Sequence, residues 1–220
     1  MTWSQLGPLL WQAFGETVYM TVWASVVAYA LGLPLGIWLV VTRRGHIMPR
    51  PTINAVLGVT VNFLRSIPFI IMLALLFPVT RAVMGSAIGT TSVIFPLVVS
   101  AFPYIARMVE SSLLEVDRGM IEAAQSMGST NLQIIFKVLL PEAVPSLVNG
   151  AAISVTTILA YTALASAAGG GGLGALAIVK GLNIRKFDVM YSASLLLVAL
   201  VQVITVLGSR ATRGLDHKRH

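Results

Sequence analysis

Side chains able to act as nucleophiles, bases or metal ligands are few in this sequence, and none falls into a catalytic spacing. There is no cysteine, which removes thiol nucleophiles, thiolate metal sites and disulfides. The three histidines, His46, His217 and His220, lie in a loop and in the C-terminal tail, and no H-E-x-x-H puts two of them on one helix face. Solvated polar side chains are their default reading. No G-x-x-x-x-G-K-S/T offers a phosphate cradle with its lysine. Gly169, Gly171 and Gly174 do satisfy G-x-G-x-x-G, but no strand-helix-strand unit surrounds them, and a flexible or tightly turned connection accounts for them. The sequence therefore predicts no catalysis, no metal and no cofactor in this chain. Any energy source must come from a partner.

The elements that carry these residues are apolar. Hydrophobic residues make up 56% of the chain and charged ones only 10%, against about 25% in an ordinary soluble domain. Mean hydropathy is +0.86. A spanning helix needs about 20 apolar residues, and such runs predict an all-α integral membrane protein with five transmembrane helices, near 18–41, 57–79, 90–106, 145–168 and 189–208, within a domain over 13–209. A barrel would show shorter segments with in-out alternation. The first basic residue is Arg43, so a secretory signal with a basic start is not expected. Arg43, Arg44 and Arg50 follow span 1, which by the positive-inside rule sets the N-terminus outside and the C-terminus in the cytoplasm. Of the 15 Lys and Arg, ten then fall inside, Lys218 and Arg219 among them, four outside, and Arg65 within a span. Basic residues scattered over several loops argue against nucleic acid as the partner of the net charge of +7.

The connection over 107–142 is longer than the others and holds five of the eight acidic residues. Ala106–Met127 predicts one helix, with Glu115 and Arg118 able to pair at i,i+3. Gly128 supplies a C-terminal turn. Thr130-Asn131-Leu132-Gln133 reads as a capping box opening a second helix that Pro141 closes. Taken on local order alone, a docking surface and a solvated connector are equally open. Glu122-Ala123-Ala124-Gln125-Ser126-Met127-Gly128, followed nine residues later by Val138-Leu139-Leu140-Pro141, resembles the EAA motif of ABC-importer permeases and departs from it only in Val138. Asn62-Phe63-Leu64-Arg65-Ser66-Ile67-Pro68-Phe69, Ala106-Arg107-Met108-Val109-Glu110 and Gly171-Gly172-Leu173-Gly174 look like the methionine-importer branch of these permeases.

That resemblance implies a type I ABC-importer transmembrane fold in a bacterial inner membrane, importing L-methionine and with D-methionine left open. It implies a second copy of this chain, two ATP-binding subunits that hold ATP and Mg, and an extracytoplasmic methionine-binding lipoprotein. It also implies that Glu122, Ala123, Ala124, Met127 and Gly128 form a coupling helix seated in the ATPase subunit. Glu122 would interact with the helix dipole and with basic groups of that partner. Ala123 and Ala124 would allow close approach, so a large residue at either should block docking.

Within the spans, Arg65 is the notable charge: snorkelling or pairing, with Glu110 as a partner, and a role in the pathway are both open. Pro34, Pro68, Pro96 and Pro103 invite kinks, which suit a moving cavity or are simply tolerated. Gly32-x-x-x-Gly36 is a helix-packing signal. Span 4 is rich in small residues, fitting a dimer interface at a pore, with Tyr161 and Leu164 as its bulky members: they close the path or pack the core. Arg65, Ser66, Pro68, Tyr161 and Leu164 are thus the pathway or gate candidates. The rivals are an importer of another amino acid or short peptide, an ATP-independent channel or secondary transporter, and a membrane anchor. A secondary transporter should carry paired ionisable residues near the midplane, and only Arg65 qualifies.

Overall fold

A computed structural model describes residues 3–216; His217, Lys218, Arg219 and His220 lie outside the described residues. The chain folds into helices, with no strand among the described residues. It divides into two compact units. One is built on the chain up to Ala28, Ile67–Ala101 and Ser154–Thr205; the other on Tyr29–Ser66, Phe102–Ile153 and the chain from Val206.

Helix α1 runs from Trp3 to Val41. Its 39 residues at 1.5 Å each make about 58 Å, well beyond the roughly 30 Å of a hydrocarbon core, so the helix begins some way before the span expected from 18. Pro34 does not end it, since an unbroken helix is the cheapest way to pair backbone groups in lipid. At its C-terminus Thr42 Oγ1 donates to Trp38 O, and Asn54 Nδ2, reaching back from the next helix, donates to Leu39 O at 2.6 Å. Terminal carbonyls that the helix leaves unpaired are thereby satisfied.

The single helix expected over 57–79 is three pieces: α2 Pro51–Ser66, α3 Phe69–Leu75 and α4 Phe77–Met84. Pro68 has no N–H and drives Ile67 out of the helical region. Its own φ −55, ψ 139 cap α3, and Pro68 O accepts from Ile71 N and Met72 N. Helix α5, Ile94–Leu114, contains Pro103. The one helix expected over Ala106–Met127 breaks after Leu114. Asp117, in extended geometry, accepts from Gly119 N at 2.6 Å and restarts the chain as α6, Arg118–Ser126. A short acidic side chain that captures a nearby N–H competes with helix continuation, so Glu115 and Arg118 do not share a helix.

Gly128 turns the chain at φ +79, and the Thr130–Gln133 capping box opens α7, Asn131–Ile134. Pro141 does not end this helix. A π-helical turn over Ile135–Leu139 passes directly into α8, Leu140–Leu164. The wider turn changes the hydrogen-bond register just before the proline, so the missing N–H falls at the first turn of α8. After a 3-10 turn at Ala165–Ala168 and left-handed Gly169, α9, Gly172–Ala175, leads into a π-helical stretch Leu176–Asn183. Helix α10 is Phe187–Asp216. Among the described residues four helices are long and apolar enough to cross a membrane, and five if α2 and α3, bent by 99° at Ile67–Pro68, count as one span.

In the first unit, Leu6 and Ala13 of α1 pack with Leu173, Leu176, Ala177, Val189 and Ala193. In the second, Leu39, Val61 and Ala106 form the core. Gly32 and Gly36 do pack a helix, and it is α5 of the same chain: a Cβ on Gly36 would lie 2.6 Å from Val109 Cβ and 2.7 Å from Ala106 O.

Candidate functional site: the α6–α7 hairpin and the span breaks

Nine residues of α6 stand between the Asp117 cap and the Gly128 turn. Residues 118, 121, 122 and 125 share one side of this helix, and 120, 123 and 127 the opposite side. Met120 (41% exposed), Ala123 and Met127 (79% exposed) leave that second side open. Met120 and Met127 thus present exposed apolar side chains one on each side of the small Ala123. Ala124 is different. It is 4% exposed, turned into its own chain, so a large residue there strains the fold instead of meeting a partner. Glu122 sits in the middle of α6 and not in its first turn, so interaction with the helix dipole is not its role. It lines a cavity of about 100 Å³ with Arg118, Ile121, Gln125 and the Gly45–Ile47 turn.

Arg65 lies in the last turn of α2, about 21 Å from the start of that helix at 1.5 Å per residue. Its guanidinium carbon is 5.9 Å from the centre of the Tyr104 ring, a cation–π contact. Glu110, expected as its partner, is taken by Arg107: Nη1 donates to Glu110 Oε2 at 2.5 Å, and Nη2 donates to Gly58 O at 3.0 Å, tying α5 to α2. The side chains of the pair are 23% and 14% exposed. Replacing Arg107 by Met orphans a largely buried carboxylate and removes a second donor from the Gly58 carbonyl, which keeps its helix bond. Stability should fall by about 2 kcal/mol, and Arg107→Met with Glu110→Gln should recover about half of it, read by thermal unfolding in detergent.

Ser66 Oγ donates to Asn62 O at 2.8 Å and closes α2. In the other unit, Pro68 heads α3, whose Phe69 stacks on Tyr161 with ring centres 4.7 Å apart and planes 4° from parallel. Tyr161 is thus packed within its unit, whereas Leu164 is 46% exposed.

The glycine-rich turn holds a feature the sequence reading missed. Gly172, at φ +91, donates its N–H to Glu16 Oε2 at 2.7 Å, and Leu173 N donates to Thr17 Oγ1 at 2.8 Å. Gln12 Nε2 donates to Glu16 Oε1 at 3.0 Å. A Cβ on Gly171 would collide with Glu16 Oε2 and push that carboxylate off the turn. The turn is a tight one, pinned to α1. The available signal was that Glu16 is the only carboxylate before Glu110.

A family model described as "Binding-protein-dependent transport system inner membrane component" matches residues 32–220. The chain is 44% identical over 210 residues to the "Probable D-methionine transport system permease protein MetI" of Vibrio cholerae, covering 96% of this chain and 93% of that one. It is 39% identical to the "Methionine import system permease protein MetP" of Bacillus subtilis, with 95% and 94% covered. Its fold matches a chain of an inward-facing form of the MetNI methionine ABC transporter, with a TM-score of 0.95 at 42% identity over 98% of this chain and 99% of that one. A structure of another amino acid ABC transporter, at 21% identity and a TM-score of 0.70 over 98% of this chain and 96% of that one, shares the fold alone. The expected type I ABC-importer permease fold is therefore present, in a multi-pass inner-membrane transport component and not an enzyme. With a matched segment that takes in most of its length, the chain belongs to the family of binding-protein-dependent transport system inner membrane components.

Proposed function

We propose that this chain is the permease subunit of an ATP-driven importer of methionine, taking the L form and also the D form. The likeness to methionine permease proteins over 96% of the chain carries this reading. Two copies of the chain enclose the translocation path. Two ATP-binding subunits supply ATP and Mg, and this chain itself holds no cofactor. An extracytoplasmic lipoprotein delivers methionine to the outer mouth. The transmembrane domain covers 13–209, with the N-terminus outside and the α6–α7 hairpin and C-terminus in the cytoplasm, in keeping with the basic residues beside the inner ends of the spans. Helix α10, only 11% of whose apolar window is buried, is supplied with lipid around it.

In this reading α6 is the coupling helix. Ala123 on its open side lets the ATPase subunit approach, flanked by Met120 and Met127, while Gly128 lets the chain turn back. Closure of the ATP-loaded subunits displaces α6, and access to the path switches because the two states differ in their contacts at this hairpin. Arg65 and Ser66 at the end of α2, and separately Pro68, Tyr161 and Leu164 in the other unit, are the path residues of this reading. The test is uptake. Proteoliposomes holding the chain with its co-expressed ATPase subunits, the cognate lipoprotein outside and ATP inside should accumulate radiolabelled methionine. Accumulation without ATP, or of another amino acid in preference to methionine, overturns the reading.

A further inference from the structure

Beside the coupling hairpin lies a segment that neither the EAA motif nor the pathway uses: the turn between α1 and α2. It is tightly held. Arg43 N donates to Val40 O, His46 N to Arg43 O, Met48 N to Val41 O and Arg50 N to Thr42 O, all at 2.9–3.1 Å. Gly45 takes φ +77 to close it, and Asn54 of α2 locks it to the end of α1 through Leu39 O and Thr42 Oγ1. This rigid turn meets α6. His46 and Ile47 share a cavity wall with Arg118, Ile121, Glu122 and Gln125, the side of α6 opposite Met120, Ala123 and Met127. Ile47 and Ile121 are both buried. On this side Ile121 is buried and Arg118, Glu122 and Gln125 remain exposed around the shared cavity, while Met120, Ala123 and Met127 are open on the other side.

We propose that the Arg43–Ile47 turn is the seat of α6, and that His46 is a positioning residue which makes turn and helix move as one piece, so that a displacement of α6 reaches α1 and α2 together. This rests on the reading of α6 as the coupling helix. His46 Nδ1 is buried and has no hydrogen-bond partner. Protonating the ring would bury a second N–H donor without an acceptor. The charged groups around it are Arg118 and Glu122 on α6 and Arg43 on its own turn; burial first, then Arg118, then Arg43, lower its pKa from the ordinary 6.5. A histidine with a lowered value in the seat binds its proton more readily when unseated. The seat is therefore at full strength above about pH 6.5 and weakens as the pH falls below that toward the seated value.

The experiment measures methionine taken up per ATP hydrolysed, in proteoliposomes of the complete complex, with the cytoplasmic face at about pH 7.5 and at about pH 5.5. The wild-type ratio should drop by about threefold or more on acidification. His46→Gln, always neutral, should give a flat ratio near the wild-type value at high pH. His46→Arg, always charged, should give the low ratio at both. A His46→Gln ratio that falls with pH as the wild type does, or a His46→Arg ratio at the full value, overturns the proposal. As a second measurement, the cysteine-free chain allows His46→Cys with Gln125→Cys to be joined by a short bis-maleimide. The cross-link should form and leave uptake intact, since the two segments travel together; no cross-link, or cross-linked complexes that no longer transport, overturns the seat. Ala123→Trp separates the two readings. If it still holds the ATPase subunits and imports methionine, the coupling role of α6 has failed; if it is inactive while the His46 variants match wild type, only the seat has.

Discussion

Ala123→Trp should leave the chain folded and strip it of its ATPase subunits. Ala123 is exposed on the open side of α6, and a surface change that touches nothing in its own chain moves stability by no more than about 0.5 kcal/mol. If α6 is the coupling helix proposed above, an indole at this position keeps the ATPase subunit from closing on it. The expected loss is about 3 kcal/mol of association, on the order of a hundredfold in Kd, with methionine uptake falling in parallel. Affinity co-purification at graded ATPase-subunit concentration reads the first and proteoliposome uptake the second. Ala124→Trp is the informative neighbour. Its site is 4% exposed, so it should lower the unfolding temperature of the chain itself. Equal behaviour of the two variants would sink the assignment of the open face.

The other large effect lies where α1 crosses α5. Gly36→Leu places its first side-chain atom 2.6 Å from Val109 Cβ and 2.7 Å from the Ala106 carbonyl oxygen, and the second of these is backbone that no rotamer change can move aside. Overpacking against backbone should cost about 3 kcal/mol or more, enough to lose the monodisperse protein in detergent. Gly58→Ala is the control. Its nearest new neighbour is Arg107 Nη2 at 3.5 Å, ordinary contact, and alanine in a helix is favoured over glycine by about 0.5–1 kcal/mol, so stability should hold or rise.

What the sequence made legible was what short-range physics decides. The Gly128 turn and the Thr130–Gln133 box were readable because each depends on residues within a few positions. The ends of the helices were less so. Asp117 was overlooked as a cap because an apolar helical pattern continues through it, and only the capture of Gly119 N–H shows that the chain restarts there. Pro141 predicts a stop, as a proline usually does; the π-helical turn before it changes the register that makes it so. Arg65 was matched with Glu110 by the sparseness of charge, while the i,i+3 spacing on α5 gave that carboxylate to Arg107. Ala123 and Ala124 look alike in the motif, and only burial tells the open alanine from the packed one. The Glu16–Gly172 hydrogen bond and the cavity that His46 shares with α6 join segments far apart in the chain, and no local pattern announces them.

The Glu16–Gly172 bond also bears on how the protein is made. Its partners are 156 residues apart, so at the usual 5–20 residues per second of synthesis the carboxylate waits roughly 8–30 s for the amide that will hold it. The Gln12 bond to the same carboxylate is only four residues long and depends on α1 alone. Residues 32–66 can meet α5 once Val109 has been made, so the start of α1 is fastened to the glycine turn later than the rest of the amino-terminal third is fastened to α5.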